Sequence, residues 1–163
     1  CENVRISRCK IIKEKAFLGR HSTHSRFFYG VRVQLLTLNG IPVEFCIVPG
    51  RENDSQSLRK LPFQVAPESN IYMDAGYTDY RAEDDAWDAE LIRLMVDRRG
   101  NSRRKDAPHI KYLKKAMRKR IETTIGLIRA KSLRSIHATT KQGFLLKVAL
   151  FVIAFTFDKL TLN

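Results

Sequence analysis

The sequence predicts a mixed α/β fold, and three observations carry that expectation. A β-branched and aromatic run from Phe27 to Leu38 meets a second run, Ile41 to Val48, across Asn39-Gly40. Asn-Gly between two such runs signals a hairpin, because both residues tolerate the positive φ of a tight two-residue turn. Short apolar segments near residues 70–74 and 91–96 alternate with stretches of helical character. Apolar residues also recur at three and four positions from Leu113 to Ile128, the period of a helix that buries one stripe. Strands interleaved with helices imply helices layered on a sheet. One sheet is expected, within a single domain over residues 1–163, since no internal repeat or low-complexity linker divides the chain.

Each element has its own grounds. Residues 1–26 are basic and poor in apolar positions, and read as irregular. In the first strand Val31, Val33 and Leu35 alternate with Arg32 and Gln34, the two-residue period of a strand. Pro49-Gly50 closes the second. Asn53-Asp54-Ser55 supplies capping side chains for a short helix through Leu58 and Leu61 that Pro62 ends. Ile71-Tyr72-Met73 is a short strand running into Asp74-Ala75-Gly76-Tyr77. The acidic stretch Asp79 to Glu90 reads as a helix, Leu91 to Val96 as a strand, and Asp97 to Pro108 as a polar, basic loop. A long helix is expected from Ile110 to about Lys131, with Thr124 in its stripe. The last, near Thr140 to Phe157, is apolar almost all round and is expected to be buried. Trp87, Phe27, Phe28, Tyr29, Phe151, Phe155 and Phe157 read as core, and Cys46 as a small buried residue.

Charge points to the partner. Thirty basic side chains against 17 acidic ones give a formal net charge of +13. Such a surface suits a polyanion, nucleic acid before an anionic membrane. Residues 98–120 hold eleven basic side chains, among them Arg103, Arg104, Lys115 and Lys119, and only Asp106 as an acid. That density repels itself unless phosphates neutralise it, and binding through it is expected to fall steeply with salt. The apolar run Gly143–Phe157 is shorter than the roughly 20 residues of a membrane span and contains Lys147, so no membrane segment is expected. Three cysteines exclude a disulfide-stapled scaffold and suit a reducing compartment.

Two carboxylates stand where chemistry could use them. Asp74 lies where an apolar strand stops at a glycine turn. Glu122 is the lone acid among the cations of Arg118-Lys119-Arg120-Ile121-Glu122, sharing a helix face with Arg118 and Arg129. The plain readings are an Asp opening a turn and an i, i+4 ion pair with Arg118. If the two converge, they become oxygen ligands for a hard divalent ion amid cations that hold phosphate. Cys1, Cys9, His21 and His24 lack the spacing of a structural zinc site and read as part of a basic loop.

Four motifs in order carry a resemblance. Phe28-Tyr29-Gly30-Val31-Arg32-Val33, Val48-Pro49-Gly50-Arg51-Glu52-Asn53-Asp54-Ser55, Met73-Asp74-Ala75-Gly76-Tyr77, and Arg118-Lys119-Arg120-Ile121-Glu122 with Arg129 resemble the catalytic region of bacterial insertion-sequence transposases of the DDE type. The opening Cys1–Lys10 and the apolar end are similar to that group as well. The resemblance implies an RNase H-like fold and Mg²⁺- or Mn²⁺-dependent DNA cleavage and strand transfer through a two-metal site. It implies transposon ends and target DNA as partners, a possible homodimer in the active assembly, and a cytoplasmic, nucleoid-associated place. By similarity Asp74 is the second acid of the triad and Glu122 the third. Arg118 and Arg129 are expected at the DNA backbone, with Lys115, Lys119, Arg103 and Arg104 as further contacts.

The chain departs from the pattern in three places. Lys115 stands where the wider pattern has a Tyr three residues before the Arg. Arg129 stands where a Lys is common seven residues after the Glu. The group's first Asp lies on a strand ahead of the segment that resembles Cys1–Lys10, so the sequence as given starts beyond it. A piece without that ligand is expected to bind DNA with weak or no transposition activity and weak Mg²⁺ affinity. The alternatives are a non-catalytic DNA- or RNA-binding module of the same fold, and a basic ribosome- or membrane-associated protein of another fold.

Overall fold

The Asn39-Gly40 turn organises the larger sheet. In a computed structural model, which describes residues 2–6, 11–20, 27–61, 63–133 and 136–161, the two turn residues have φ of 53° and 84°. They join β3 (Phe27–Leu38) to β4 (Ile41–Pro49) as an antiparallel hairpin, as the sequence predicts. The register slips once, between Leu36 and Thr37. β3 is the central strand. β1 (Glu2–Arg5), paired with residues 30–33, lies along the edge opposite β4, and β2 (Leu18–Arg20), paired with residues 27–29, lies across β3 from β1. The amino-terminal region therefore supplies two strands where an irregular segment was expected. Their backbone groups find partners on β3, a requirement that a strand this short meets whatever its composition.

The chain divides into two compact units, residues 1–53 with 123–163, and residues 54–122. The core of the first lies under the hairpin sheet. Val4, Ile6, Ile12, Phe17, Val31 and Val33 pack with Phe144, Val148 and Val152 of α4 (Lys141–Thr161). β3 is buried on both faces over its middle, since Gln34 is as inaccessible as Val33. The simple alternation read from its sequence thus gives way to a central strand.

The expectation of an all-round buried last helix is corrected. Phe144, Val148, Val152 and Phe155 of α4 are buried, but Leu146, Leu150, Phe157 and Leu160 are exposed. A helix against one face of a sheet buries one stripe, however apolar the rest of it is. Phe27 and Phe157 are likewise exposed and Trp87 partly so, whereas Phe28 and Phe155 are core residues as expected.

The second unit is built on two parallel strands, β5 (Asn70–Met73) and β6 (Arg93–Val96). α2 (Tyr80–Glu90) connects them, as parallel strands require a crossover. Asp79 caps α2, its carboxylate accepting the Ala82 N–H at 3.2 Å. Leu91, in the left-handed conformation, ends the helix, so the strand starts at Arg93 rather than Leu91. α1 (Asp54–Leu58) is shorter than expected, stopping before Leu61. α3 (Pro108–Ile128) is the long helix the apolar period predicts, followed by a wide turn at Arg129–Leu133. The architecture is mixed α/β, with one correction: among the described residues the strands form two sheets, and β5 pairs with β6 alone.

Candidate functional site

Asp74 and Asp97 follow the paired residues Met73 and Val96, so both stand at the carboxyl ends of the parallel strands. The Asp97 N–H donates to the Met73 carbonyl at 2.9 Å, which ties the two ends together. Ligands of open α/β sheets gather at such strand ends. Asp74 also caps a 3₁₀ turn at Ala75–Tyr77, accepting the Ala75 N–H at 2.8 Å. Gly76 leaves room for the Asp54 side chain there. A Cβ on it would lie 2.7 Å from Oδ2 of Asp54, so the second and third motifs of the resemblance meet at this glycine.

Glu122 reaches the same place from α3 through Arg118. Nε of Arg118 donates to Glu122 Oε1 at 2.9 Å, and Nη1 of the same guanidinium donates to Asp74 Oδ1 at 3.0 Å. Asp97 Oδ2 stands 3.9 Å from that Nη1. The i, i+4 pair expected between Arg118 and Glu122 is thus present, but it is part of something larger. Two acids 48 residues apart are held within the span of one guanidinium. The Glu122 hydrogen bond first, and then the charge of Asp74, raise the Arg118 pKa above its ordinary value. The side chains of Arg118, Asp74 and Glu122 are 48%, 49% and 60% exposed. Ion pairs that open to water are each worth about 0–1 kcal/mol, so the guanidinium is exchangeable rather than locked. Carboxylate oxygens around a displaceable cation are the donor chemistry that a hard divalent ion takes. Among the described residues, no group of three or more His, Cys, Asp or Glu is placed to hold a metal ion.

The basic run divides into internal and outward-facing members. Nζ of Lys114 is buried, donating to the Val96 carbonyl at 2.8 Å and to Asp106 at 2.6 Å. Arg98 makes a two-pronged pair with Glu83, one prong at 2.8 Å and the other to Oε2. Arg104 forks onto Asp84 at 2.8 and 2.7 Å and lies 4.9 Å from the centre of the Tyr80 ring. The Tyr80 hydroxyl accepts the Arg103 N–H at 3.2 Å and shares a hydrogen bond with Ser102. The segment after β6 is therefore pinned to α2 by its own arginines. Arg103, Lys111 and Lys115 are exposed and face water. Lys119 and Arg129 are also exposed, but each has a partner within the chain.

Sequence reasoning missed Asp97, placing it at the start of a loop. The available signal was the one used for Asp74, an acid at the point where a short apolar strand stops. Cys1, Cys9, His21 and His24 lie outside the described residues. A cavity of about 380 Å³ in the first unit, lined by Ile6, Ile11, Phe144 and their neighbours, contains none of the candidate residues. Among the described residues no helix is long and apolar enough to cross a membrane. No protein-family model, curated protein or solved structure matches the chain.

Proposed function

We propose that this chain is the catalytic region of a DDE-type DNA transposase, with Asp74 and Glu122 as two of its metal-binding acids. The observation that carries the reading is Arg118 hydrogen-bonded to both carboxylates, which brings together two acids distant in sequence. The antiparallel hairpin and the parallel pair joined by a helix are pieces that an RNase H-like mixed sheet would contain. Cytoplasmic, nucleoid-associated DNA is the corresponding place of action.

In this reading Asp74 and Glu122 would hold Mg²⁺ or Mn²⁺. Bound there, the metal supplies activation of the attacking oxygen and stabilisation of the leaving oxygen of a phosphodiester. The chain's own residues do the rest. Asp74, fixed by the Ala75 N–H, presents its carboxylate at a rigid strand end. Arg118 keeps the two acids together and, once displaced, is a cation beside the scissile phosphate. Lys111 and Lys115, one helical turn apart on the exposed side of α3, position the phosphate backbone without reading sequence. Asp97 adds negative charge next to Asp74.

A second reading has its own support. Arg118 already neutralises the two acids, as it would in a non-catalytic DNA- or RNA-binding module in which the cluster only braces α3 against β5. A nicking assay on supercoiled DNA with Mn²⁺ separates the two. The transposase reading expects slow, metal-dependent nicking that Asp74→Asn and Glu122→Gln each lower by roughly 100-fold, the scale of losing a group that acts in the transition state. Nicking indifferent to both substitutions, or divalent-ion binding that neither substitution weakens, contradicts it and leaves the binding module.

A further inference from the structure

α4 carries a second face that the core does not use. Leu146, Leu150, Ile153, Phe157 and Leu160 are 60%, 51%, 39%, 63% and 57% exposed. Their spacing is four, three, four, three, the alternation of a coiled-coil seam. At 100° per residue they fall within an arc of roughly 80°, opposite the stripe of Phe144, Val148, Val152 and Phe155 that fills the core. The seam is not the core stripe turned outward. It is a separate surface.

Its flanks are quiet. Ala154 is exposed beside Leu150 and Phe157, small enough to let another helix approach. Lys147 reaches back to the His137 carbonyl, and Asp158 is paired with Lys131. Lys159 lies over the Phe155 ring at 5.8 Å. Among the described residues of α4 the cations near this seam, Lys147 and Lys159, are engaged within the chain, in contrast with the exposed side of α3.

We propose that this face is a two-fold interface between copies of the chain, α4 of one packing against α4 of the other. A seam of this period is its own complement, because each knob of one helix meets a hole of the same helix in its partner. The size also fits. Five large side chains with roughly 100 Å² exposed apiece offer about 500 Å² per protomer and about 1,000 Å² across the pair, the lower bound for a specific interface. A patch of about 500 Å² is as large as the largest on a typical monomer, and patches of that size often have a function. Two chains of net charge +13 repel each other overall, and this row is where charge is absent or already paired, so it is where contact costs least.

Sedimentation velocity of the full chain from roughly 1 to 200 µM, a span that covers Kd values of weak to moderate dimers, tests this. A reversible monomer–dimer equilibrium is expected that tightens as salt is raised, because salt screens the repulsion and leaves apolar burial intact. Leu150→Glu with Phe157→Glu is expected to raise the dimer Kd at least tenfold. Leu38→Glu, at an equally exposed position in the hairpin, is expected to leave it unchanged. Circular dichroism checks that the variants fold, and Leu150→Ala provides a milder substitution if the double one does not. A wild-type chain that stays monomeric over the whole range overturns the proposal, whether or not it partitions onto lipid vesicles. So does a dimer that the seam substitutions do not weaken.

Discussion

Arg118 sits among three carboxylates while Lys115, one turn earlier on the same helix, is exposed. Position relative to Asp74 makes that difference, since both residues read as one basic run. The same sorting gives Arg104 a partner in Asp84 and leaves Lys115 among the exposed cations. The hydrogen bond and charge of Arg104 in turn hold the Asp84 carboxyl below the usual range. For Lys115→Ala the expected outcome is uniformly weaker DNA binding, with the slope of log K against log salt shallower by about 1, as for the loss of one phosphate contact. Fluorescence anisotropy on two unrelated duplexes at several salt concentrations measures it. An unchanged slope would place the phosphate backbone elsewhere. Asp74 and Glu122 were legible as candidates because each is an acid in an unusual setting, one at a strand end and one among cations. Their meeting was not legible, since it depends on how α3 crosses the end of β5. Asp97 carries the same signal as Asp74, an acid directly after a four-residue strand, and was masked because it also opens the basic run that reads as a loop.

The local punctuation of the elements is plainer than their burial. Asn39-Gly40 gives its hairpin because two positive φ values are affordable there, and Asp79 starts α2 because its carboxylate replaces a missing backbone partner. The hydrogen bond from Ala82 N–H is the largest cause that holds the Asp79 carboxyl below its ordinary value, and Arg59 adds to it. A carboxyl depressed by folding stabilises the native state above its unfolded pKa of about 3.9, and the contribution disappears as pH falls through the lower folded value. Thermal unfolding of the wild type is therefore expected to lose this contribution below about pH 4. Asp79→Asn keeps a capping oxygen without titrating, so its melting temperature is expected to fall less steeply over that interval. Asp79→Ala is expected to cost about 1 kcal/mol at neutral pH. Equal acid limbs for wild type and Asp79→Asn would remove the cap from the account. Burial was less legible than capping. α4 reads as apolar all round, and composition alone cannot tell a helix enclosed on every side from one with a core stripe and a bare seam. β1 and β2 escaped notice because their backbone pairing with β3, rather than any side-chain pattern, makes them strands.

For the molecule as a whole, the sequence predicts the class correctly and the sheet organisation less well. Alternating strands and helices give a mixed α/β chain, but the hairpin strands and the parallel pair hydrogen-bond as separate sheets among the described residues. Strand pairing between distant segments is set by long-range packing, which no short window contains. The net charge of +13 is legible at a glance, and its division between internal pairs and free cations is not. The central claim is that Asp74 and Glu122 together bind a divalent ion in exchange for Arg118. Titration of Mn²⁺ into the full chain, followed by electron paramagnetic resonance of the free ion, tests it most directly. The account predicts saturable binding that Asp74→Asn and Glu122→Gln each weaken at least tenfold, and that Arg118→Met strengthens by removing the competing cation. Mn²⁺ uptake that is identical in the wild type and in a chain carrying both acid substitutions would contradict it.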